Sequence, residues 1–250
     1  MYSGEVRRAA IEELLRKRSL SEVSRSTGVS RAALRCWRDG SAAVRSPDCP
    51  RCAADRPPIP PAPYSYLLGQ YLGDGTISRG PREVWLLRIA CADDWPGVMT
   101  ECVRSVRAIR PHNSVSLLRR QGCTIVTARW KHWPCLFPQH GPGKKHTRPI
   151  VLEPWQQEIV DARPGPFLRG LFHSDGCRIT NWTTHEVRGE RRRYEYPRYF
   201  FSNESTDILG LCSAALHRMG VAHRFPRWNT ISVARREAVA ALDEVVGPKT

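Results

Sequence analysis

The chain has 250 residues, with 39 Lys or Arg against 24 Asp or Glu, so its formal net charge is +15. Hydrophobic residues make up 41%, which is enough to bury a core and excludes wholesale disorder. No apolar run approaches the ~20 residues that cross a bilayer, which excludes a spanning helix. A charge this positive favours a polyanion, and we expect nucleic acid rather than a membrane surface as the partner.

Two further features predict the compartment. The opening residues 1–5 carry no apolar stretch of the kind found in signal peptides, so we expect a cytoplasmic protein. The nine cysteines are irregularly spaced and odd in number, which predicts reduced thiols rather than a disulfide framework.

Residues 4–39 contain no proline and predict three short helices. The apolar face of the first is expected from Val6, Ala10, Leu14 and Leu15. Ser19 or Ser21 is the predicted cap of the second helix, Val23 faces the core, and Gly28 makes the turn. Ser30 is expected to cap the third helix, which ends at residues 39–40.

The segment 19–40 resembles the helix-turn-helix of recombinases and bacterial repressors, so we expect a small all-α helix-turn-helix domain over residues 1–45. Its third helix carries Arg31, Arg35 and Arg38, which we expect to reach phosphates or guanine edges in a major groove. A small helical bundle that contacts protein is the alternative.

Residues 46–63 hold seven of the 20 prolines and predict an extended, semi-rigid linker. Within it, Cys49 and Cys52 form a CxxC pair. A structural zinc site needs four ligands and no second CxxC follows, so we expect an unmetallated turn, with zinc as the alternative.

Two ten-residue segments, 66–75 and 167–176, carry the same pattern. Aligned on their final Asp-Gly, they match in four pairs of positions: Gly69 with Gly170, Gly73 with Ser174, Asp74 with Asp175, and Gly75 with Gly176. The two acids lie 101 residues apart, which suits a duplicated module.

Small residues four apart lie on one face of a helix, so two such helices can pack backbone to backbone. Each aspartate then ends its helix, where the dipole is already negative, and two carboxylates brought together there repel one another. A divalent cation relieves that repulsion, and oxygen ligands suit Mg²⁺. The glycine after each aspartate is expected to adopt a left-handed conformation and release the chain into a strand.

This pair of segments resembles the motif of LAGLIDADG homing endonucleases, over roughly residues 64–248. The resemblance implies an α+β domain over residues 64–250, built from two pseudo-symmetric αββαββα repeats (about 64–160 and 161–250) whose sheets form a saddle over DNA. It implies that Asp74 and Asp175 bind catalytic Mg²⁺, with Gly73 and Ser174 in the metal set, and promote cleavage across the minor groove. His173 stands where the family often has an acid, and we expect a structural role for it.

The coarse pattern agrees with that repeat. After Asp74 we expect strands over 84–90 and within 114–130, separated by a helix over 96–109. After Asp175 we expect strands over 177–187 and 194–202, a helix over 206–219, a strand-like segment over 222–233, and a closing helix over 235–246.

Basic residues around these elements are the remaining DNA-binding candidates. The loop 141–148 presents Lys144 and Lys145, for which a linker role alone is the alternative. The segment 188–194 is expected to form a hairpin tip at which Arg191, Arg192 and Arg193 grip DNA, with a solvated loop as the alternative. Arg178 is a further candidate. No position identifies the basic residue that stabilises the scissile phosphate in this family.

The leading hypothesis is a monomeric, site-specific endonuclease for double-stranded DNA, because one chain supplies both acids. A non-cleaving transcriptional regulator derived from such a nuclease is the alternative, and an RNA-binding maturase is a third candidate. We do not expect an intein, because no Cys or Ser opens the chain and no His-Asn pair closes it.

Overall fold

The computed structural model describes residues 4–16, 19–31, 34, 59–187, 189–247 and 249. The chain divides into two compact units, Met1–Ala53 and Ala54–Thr250. Arg35, Arg38, Cys49 and Cys52 lie outside the described residues. No helix in the described ranges is long and apolar enough to cross a membrane.

The first unit contains helices α1 (Gly4–Leu15) and α2 (Leu20–Thr27). Ser19 caps α2: its hydroxyl accepts from the Glu22 amide, and the Glu22 carboxylate accepts from the Ser19 amide. Gly28 follows with a φ of 68°, so the predicted cap and turn are both confirmed. Among the described residues of this unit, the buried side chains are Ala10, Val23, Val29 and Leu34.

Two residues of the predicted apolar face of α1, Val6 and Leu15, are exposed and lie outside the buried cluster. Leu15 is 76% exposed and lies outside the cluster, whereas Leu14 packs against it. Successive helical residues are about 100° apart, so neighbours such as these cannot both face a small core.

The second unit opens with α3 (Pro61–Asp74), β1 (Gly75–Arg79), β2 (Trp85–Ala92), α4 (Pro96–Ile109), β3 (Val115–Arg120) and β4 (Cys123–Trp130). A short helix, α5 (Trp133–Leu136), and α6 (Pro154–Ala162) complete this half. The linker boundary at residue 63 is therefore wrong by three residues, because Pro61 and Pro63 lie in the first turn of α3. Proline is tolerated there because the first N–H groups of a helix have no helical acceptor.

The second half repeats the order with α7 (Pro164–Asp175), β5 (Gly176–Val187), β6 (Glu190–Ser202), α8 (Thr206–Arg218), β7 (Arg224–Arg227), β8 (Thr230–Val233) and α9 (Arg236–Val246). The structure therefore contains the expected αββαββα repeat twice. Each half has one four-stranded antiparallel sheet, of order β1-β2-β4-β3 or β5-β6-β8-β7.

One hydrophobic core serves both halves of this unit. It combines the apolar faces of α3 and α7 with the inner faces of both sheets and the flanking helices, including Leu68, Leu87, Leu171 and Phe201. Six described cysteines are free thiols, as predicted: Cys91, Cys102, Cys123, Cys135, Cys177 and Cys212.

Candidate functional site

The two motif helices pack backbone to backbone through their glycines. A Cβ added to Gly69 would lie 2.5 Å from the Phe167 carbonyl oxygen, and one added to Gly170 would collide with the Tyr66 carbonyl oxygen. A Cβ on Gly73 would collide with the Ser174 side chain and lie 3.0 Å from Oδ2 of Asp175. The predicted interface of Gly69, Gly73, Gly170 and Ser174 is thus observed, and it brings the C-terminal ends of α3 and α7 together.

Each aspartate is the last residue of its helix, and the glycine that follows begins a strand. Gly75 has φ −90° and Gly176 has φ −101°, so both are extended, and the predicted left-handed conformation is wrong. Glycine is required there for space instead. A Cβ would lie 2.5 Å from Cα of Tyr71 in the first repeat and 2.7 Å from Cα of Phe172 in the second.

Burial disfavours the ionisation of both carboxylates, and the charge of Asp175 adds to this effect at Asp74. Neighbouring protein strips water from the Asp74 carboxyl, although the residue as a whole is exposed, and this burial together with the nearby charge of Asp175 raises its pKa to about 6. Burial also raises the pKa of Asp175, against a lowering contribution from a hydrogen bond of Asn203. Two carboxyls in this state favour binding of a proton or a cation.

One lysine lies at the C-terminal end of each motif helix, Lys145 beside α3 and Lys249 beside α7. Lys145 Nζ donates to the carbonyl oxygens of Gly73 (2.8 Å) and Gly75 (2.7 Å), which flank Asp74. Lys249 Nζ donates to those of Ser174 (3.4 Å) and Gly176 (2.5 Å), which flank Asp175. The site therefore has a pseudo-twofold arrangement of two aspartates and two ammonium groups.

Burial lowers the pKa of Lys145 to about 8, although both aspartates act to raise it. Burial likewise lowers the pKa of Lys249. The Gly73 and Ser174 carbonyls that we expected in a metal set thus accept hydrogen bonds from ammonium groups, and each carbonyl oxygen keeps a second lone pair.

Sequence reasoning named Lys145 only as a phosphate-binding loop residue and missed Lys249. A signal for it was present, because Gly-Pro precedes both lysines: residues 141–145 read GPGKK and residues 247–249 read GPK. Lys144, the other predicted loop lysine, is exposed.

Asn203 is a second residue that sequence reasoning missed. Its Nδ2 donates to Oδ2 of Asp175 at 2.7 Å, and its Oδ1 accepts from the Ser205 amide at 2.8 Å, which fixes the orientation of the amide group. A cleft of about 370 Å³ opens beside this pair, and its lining includes Gly73, Lys145, Glu204 and Asn229.

The predicted arginines of β5 and β6 do not share one face. Strand β6 begins at Glu190, so Arg191–Arg193 belong to a strand and not to a hairpin tip. Side chains alternate along a strand, and the register places Arg192 on the face opposite to the buried Tyr199 and Phe201, while Arg191 and Arg193 share the face of those two residues.

Arg178 also lies on the inner face of its sheet. Its Nε and Nη2 donate to the Asp243 carboxylate at 2.7 and 2.9 Å, and its guanidinium lies 5.9 Å from the Tyr199 ring centroid. The Arg178 side chain follows buried Gly176 by two residues and so points towards α9, and the DNA contact expected of it stays a prediction.

The outer face of each sheet carries arginines that the sequence reading overlooked. In the first sheet they are Arg88, Arg120 and Arg129, and in the second they are Arg192, Arg224 and Arg227. Arg198 has the same register position but is buried, with its Nε donating to the Ser232 hydroxyl at 2.8 Å. The sequence indicates the orientation of these arginines, because they occupy the alternate positions between residues that are buried, such as Leu87, Ile89 and Tyr199.

The described residues contain no cluster of three or more His, Cys, Asp or Glu side chains placed to hold a metal ion. The candidate cation site is therefore the aspartate pair with neighbouring main-chain oxygens. Hard cations such as Mg²⁺ are commonly bound through one or two protein carboxylates, with water and substrate phosphate completing the shell.

No family model matches the chain, and no curated protein sequence matches it. Among solved structures, the chain is similar to I-DmoI in complex with DNA and Mn (11% identity, TM-score 0.49, 76% of this chain and 99% of that chain). It is also similar to the LAGLIDADG meganuclease I-AabMI bound to uncleaved DNA (8%, 0.43, 72% and 83%) and to the I-SmaMI LAGLIDADG homing endonuclease bound to cleaved DNA (8%, 0.43, 74% and 80%). These likenesses are distant in sequence, at 8% to 11% identity.

Proposed function

We propose that this protein is a site-specific, Mg²⁺-dependent endonuclease of the homing type that hydrolyses one phosphodiester bond in each strand of double-stranded DNA. The observation that carries the proposal is the pairing of Asp74 and Asp175 at the joined ends of α3 and α7, each flanked by carbonyls that hold a lysine. One chain supplies both halves of the site, so we propose that it acts as a monomer with an internal pseudo-twofold axis.

The residues present fit a divalent cation. Both aspartates have raised pKa values because burial disfavours their charged forms, so a bound cation that neutralises the carboxylates removes an unfavourable interaction. When bound, Mg²⁺ supplies an activated water and stabilises charge on the phosphate. Asp74 and Asp175 would hold it, with the Gly73 and Ser174 carbonyls beside them.

The protein's own groups perform the remaining tasks. The Lys145 and Lys249 ammonium groups place two positive charges beside the carboxylates, where they stabilise negative charge that develops on a phosphate during hydrolysis. Their main-chain hydrogen bonds hold them in place before substrate arrives. The Asn203 amide orients the Asp175 carboxylate and favours its ionised form.

The outer faces of the two sheets are the proposed DNA-binding surface. Arginines on these faces suit phosphates and guanine edges, and a two-stranded β-ribbon fits a major groove. We further propose that the first unit is a helix-turn-helix domain, and that its Arg31, Arg35 and Arg38 add phosphate contacts, and so affinity, without taking part in the chemistry.

Cleavage mapping tests this function directly. A plasmid library of genomic DNA is prepared from host cells whose corresponding locus does not contain the gene for this protein. The library is incubated with the protein and Mg²⁺, and the new DNA ends are sequenced. The proposal predicts ends that map to one site, and none with Asp74→Asn or Asp175→Asn. Specific binding of the same DNA without cleavage at any Mg²⁺ or Mn²⁺ concentration would instead establish the regulator hypothesis.

A further inference from the structure

The carbonyl oxygen of Val246, at the end of α9, accepts two hydrogen bonds from one neighbouring helix. Arg169 Nη1 donates to it at 2.6 Å and His173 Nε2 lies 3.0 Å from it. Both side chains come from α7, one helical turn apart. The last carbonyls of a helix have no helical partner, so these two donors fix the point at which the chain leaves α9.

His173 is buried and has a partner at each ring nitrogen. Because Nε2 faces a carbonyl, it carries the proton, and Nδ1 then accepts from the Tyr66 hydroxyl at 3.3 Å. The Tyr66 oxygen in turn accepts from Gln70 Nε2 at 3.0 Å. This chain of donors runs from α3 through α7 to α9 and leaves the ring one orientation.

Arg169 is held from its other side by Glu101 of α4. Its Nε lies 3.0 and 2.9 Å from the two carboxylate oxygens, and its Nη2 lies 2.8 Å from Oε2. This bidentate pairing aims Nη1 at Val246. Gly247 has φ 64° and ψ 177°, and a Cβ there would lie 2.7 Å from Arg169 Nη1. Glycine is therefore required both for the positive φ and to leave space for the arginine.

We propose that Arg169 and His173 are positioning residues for Lys249. By holding the Val246 carbonyl they set the direction of the segment that follows, and three residues later Lys249 reaches the carbonyls of Ser174 and Gly176. The catalytic consequence rests on the nuclease function proposed above, whereas the positioning itself does not.

The first repeat offers an independent counterpart. Arg148 donates to the carbonyls of Pro142 (3.3 Å) and Gly143 (2.9 Å) through Nη1, and to that of Gln139 (3.3 Å) through both Nε and Nη2. This arginine folds the loop that carries Lys145. Each lysine of the site thus depends on a different arginine, and the two dependences can be separated by mutation.

Competitive labelling of lysines with an amine-reactive ester, read by mass spectrometry, tests the positioning in the full chain. Exposed Lys144 is the internal standard. We expect His173→Leu and Arg169→Met to raise labelling of Lys249 by about tenfold, the effect of losing a buried hydrogen bond to a held group, and to leave Lys145 unchanged. Arg148→Met is expected to do the reverse. His173→Gln, which keeps a donor for Val246, should restore the wild-type pattern.

A second measurement uses nicked and linear plasmid. If each lysine serves one strand, Arg169→Met and His173→Leu should slow cutting of one strand and Arg148→Met that of the other, so that nicked circles accumulate in each case. A general loss of stability would slow both strands together. Unchanged Lys249 labelling in Arg169→Met, or equal rises at Lys145 and Lys249, would overturn the proposal. If the wild type cuts no DNA, the nuclease function fails and the labelling still decides the positioning.

Discussion

Asn203 donates a hydrogen bond of 2.7 Å to the Asp175 carboxylate, and among the described residues no hydrogen bond reaches the Asp74 carboxylate. The two halves of the site are therefore chemically unequal although their backbones repeat. A donor to a carboxylate favours its ionised form. Asp175 is thus the better prepared of the two aspartates to bind a cation near neutral pH.

The first prediction concerns this hydrogen bond. Asn203→Leu removes a contribution that lowers the pKa of Asp175, so that pKa rises and the acid limb of Mg²⁺ binding moves to higher pH. The measurement is the increase in Tm on adding Mg²⁺, followed from pH 5 to pH 8. Asn229→Ser is the matched control, because its side chain lines the same cleft but bonds to Glu204. If the pH midpoint of the Mg²⁺-induced increase in Tm is the same in Asn203→Leu as in the wild type, the hydrogen bond has no electrostatic role.

The second prediction concerns metal-free stability. The pKa of Asp74 is raised in the folded state to about 6, so this group destabilises the fold increasingly as pH rises from about 4 to about 6, and by a constant amount above that. Asp74→Asn should therefore raise Tm at pH 8 and leave it unchanged near pH 4. Because the residue is partly exposed, solvent screening limits the rise to a few degrees. Equal effects at both pH values would contradict the raised pKa. Cleavage should be lost in this variant.

The third prediction concerns the helix contact. Gly170→Ala places a methyl group against the Tyr66 carbonyl of α3, which forces the helices apart, and we expect a loss of unfolding free energy of roughly 2–4 kcal/mol, in the range of severe overpacking. Gly210→Ala in α8 is the control, since its Cβ meets nothing within 4 Å. That control should stabilise the protein by ~0.5–1 kcal/mol through helix propensity. Urea unfolding measures both. A neutral Gly170→Ala would mean that the helices are not in backbone contact.

The fourth prediction separates the two faces of β6. Arg192 lies on the outer face and Arg193 on the inner face, where it pairs with Glu195 at 2.7 Å and lies over Trp182. Arg192→Ala should lower the slope of log K against log salt by up to about one unit, and Arg193→Ala should leave the slope unchanged. Titration of a fluorescent duplex at four salt concentrations measures the slopes. Equal changes in slope in the two variants would mean that DNA contacts both faces of the β5–β6 hairpin.

The fifth prediction concerns residues 1–58, which hold 12 of the 39 basic residues. Among the residues that the structure describes, the hydrophobic core of the second unit begins at Ile59. A chain that begins at Ile59 should therefore fold, bind DNA more weakly with a smaller salt slope, and recover cutting at low salt. Complete inactivity of the folded shorter chain at every salt concentration would assign the first unit a part in cleavage.

Local, periodic signals predicted much of this fold. Helix α4 has the predicted bounds because its apolar positions recur at helical spacing between Pro96 and Ile109. The glycines at matching positions of α3 and α7 predicted that these two helices pack against each other. The faces of β6 were not predicted, because residues 190–196 contain no aliphatic side chain and so carry no alternation. Lys249 and Asn203 meet Asp175 only through tertiary structure, 74 and 28 residues away along the chain.

The hairpins of the two sheets differ in length. Strands β5 and β6 contain 12 and 13 residues, whereas β1 and β2 contain 5 and 8. At ~3.4 Å per residue the longer pair reaches about 40 Å, more than one turn of B-DNA, and the shorter strands roughly 17 and 27 Å. A nuclease with this build touches more base pairs on one side of its cut than on the other. Its recognition sequence has no need to be palindromic, and a base change on the side of the long hairpin would protect a target from cleavage more effectively than the equivalent change across the axis.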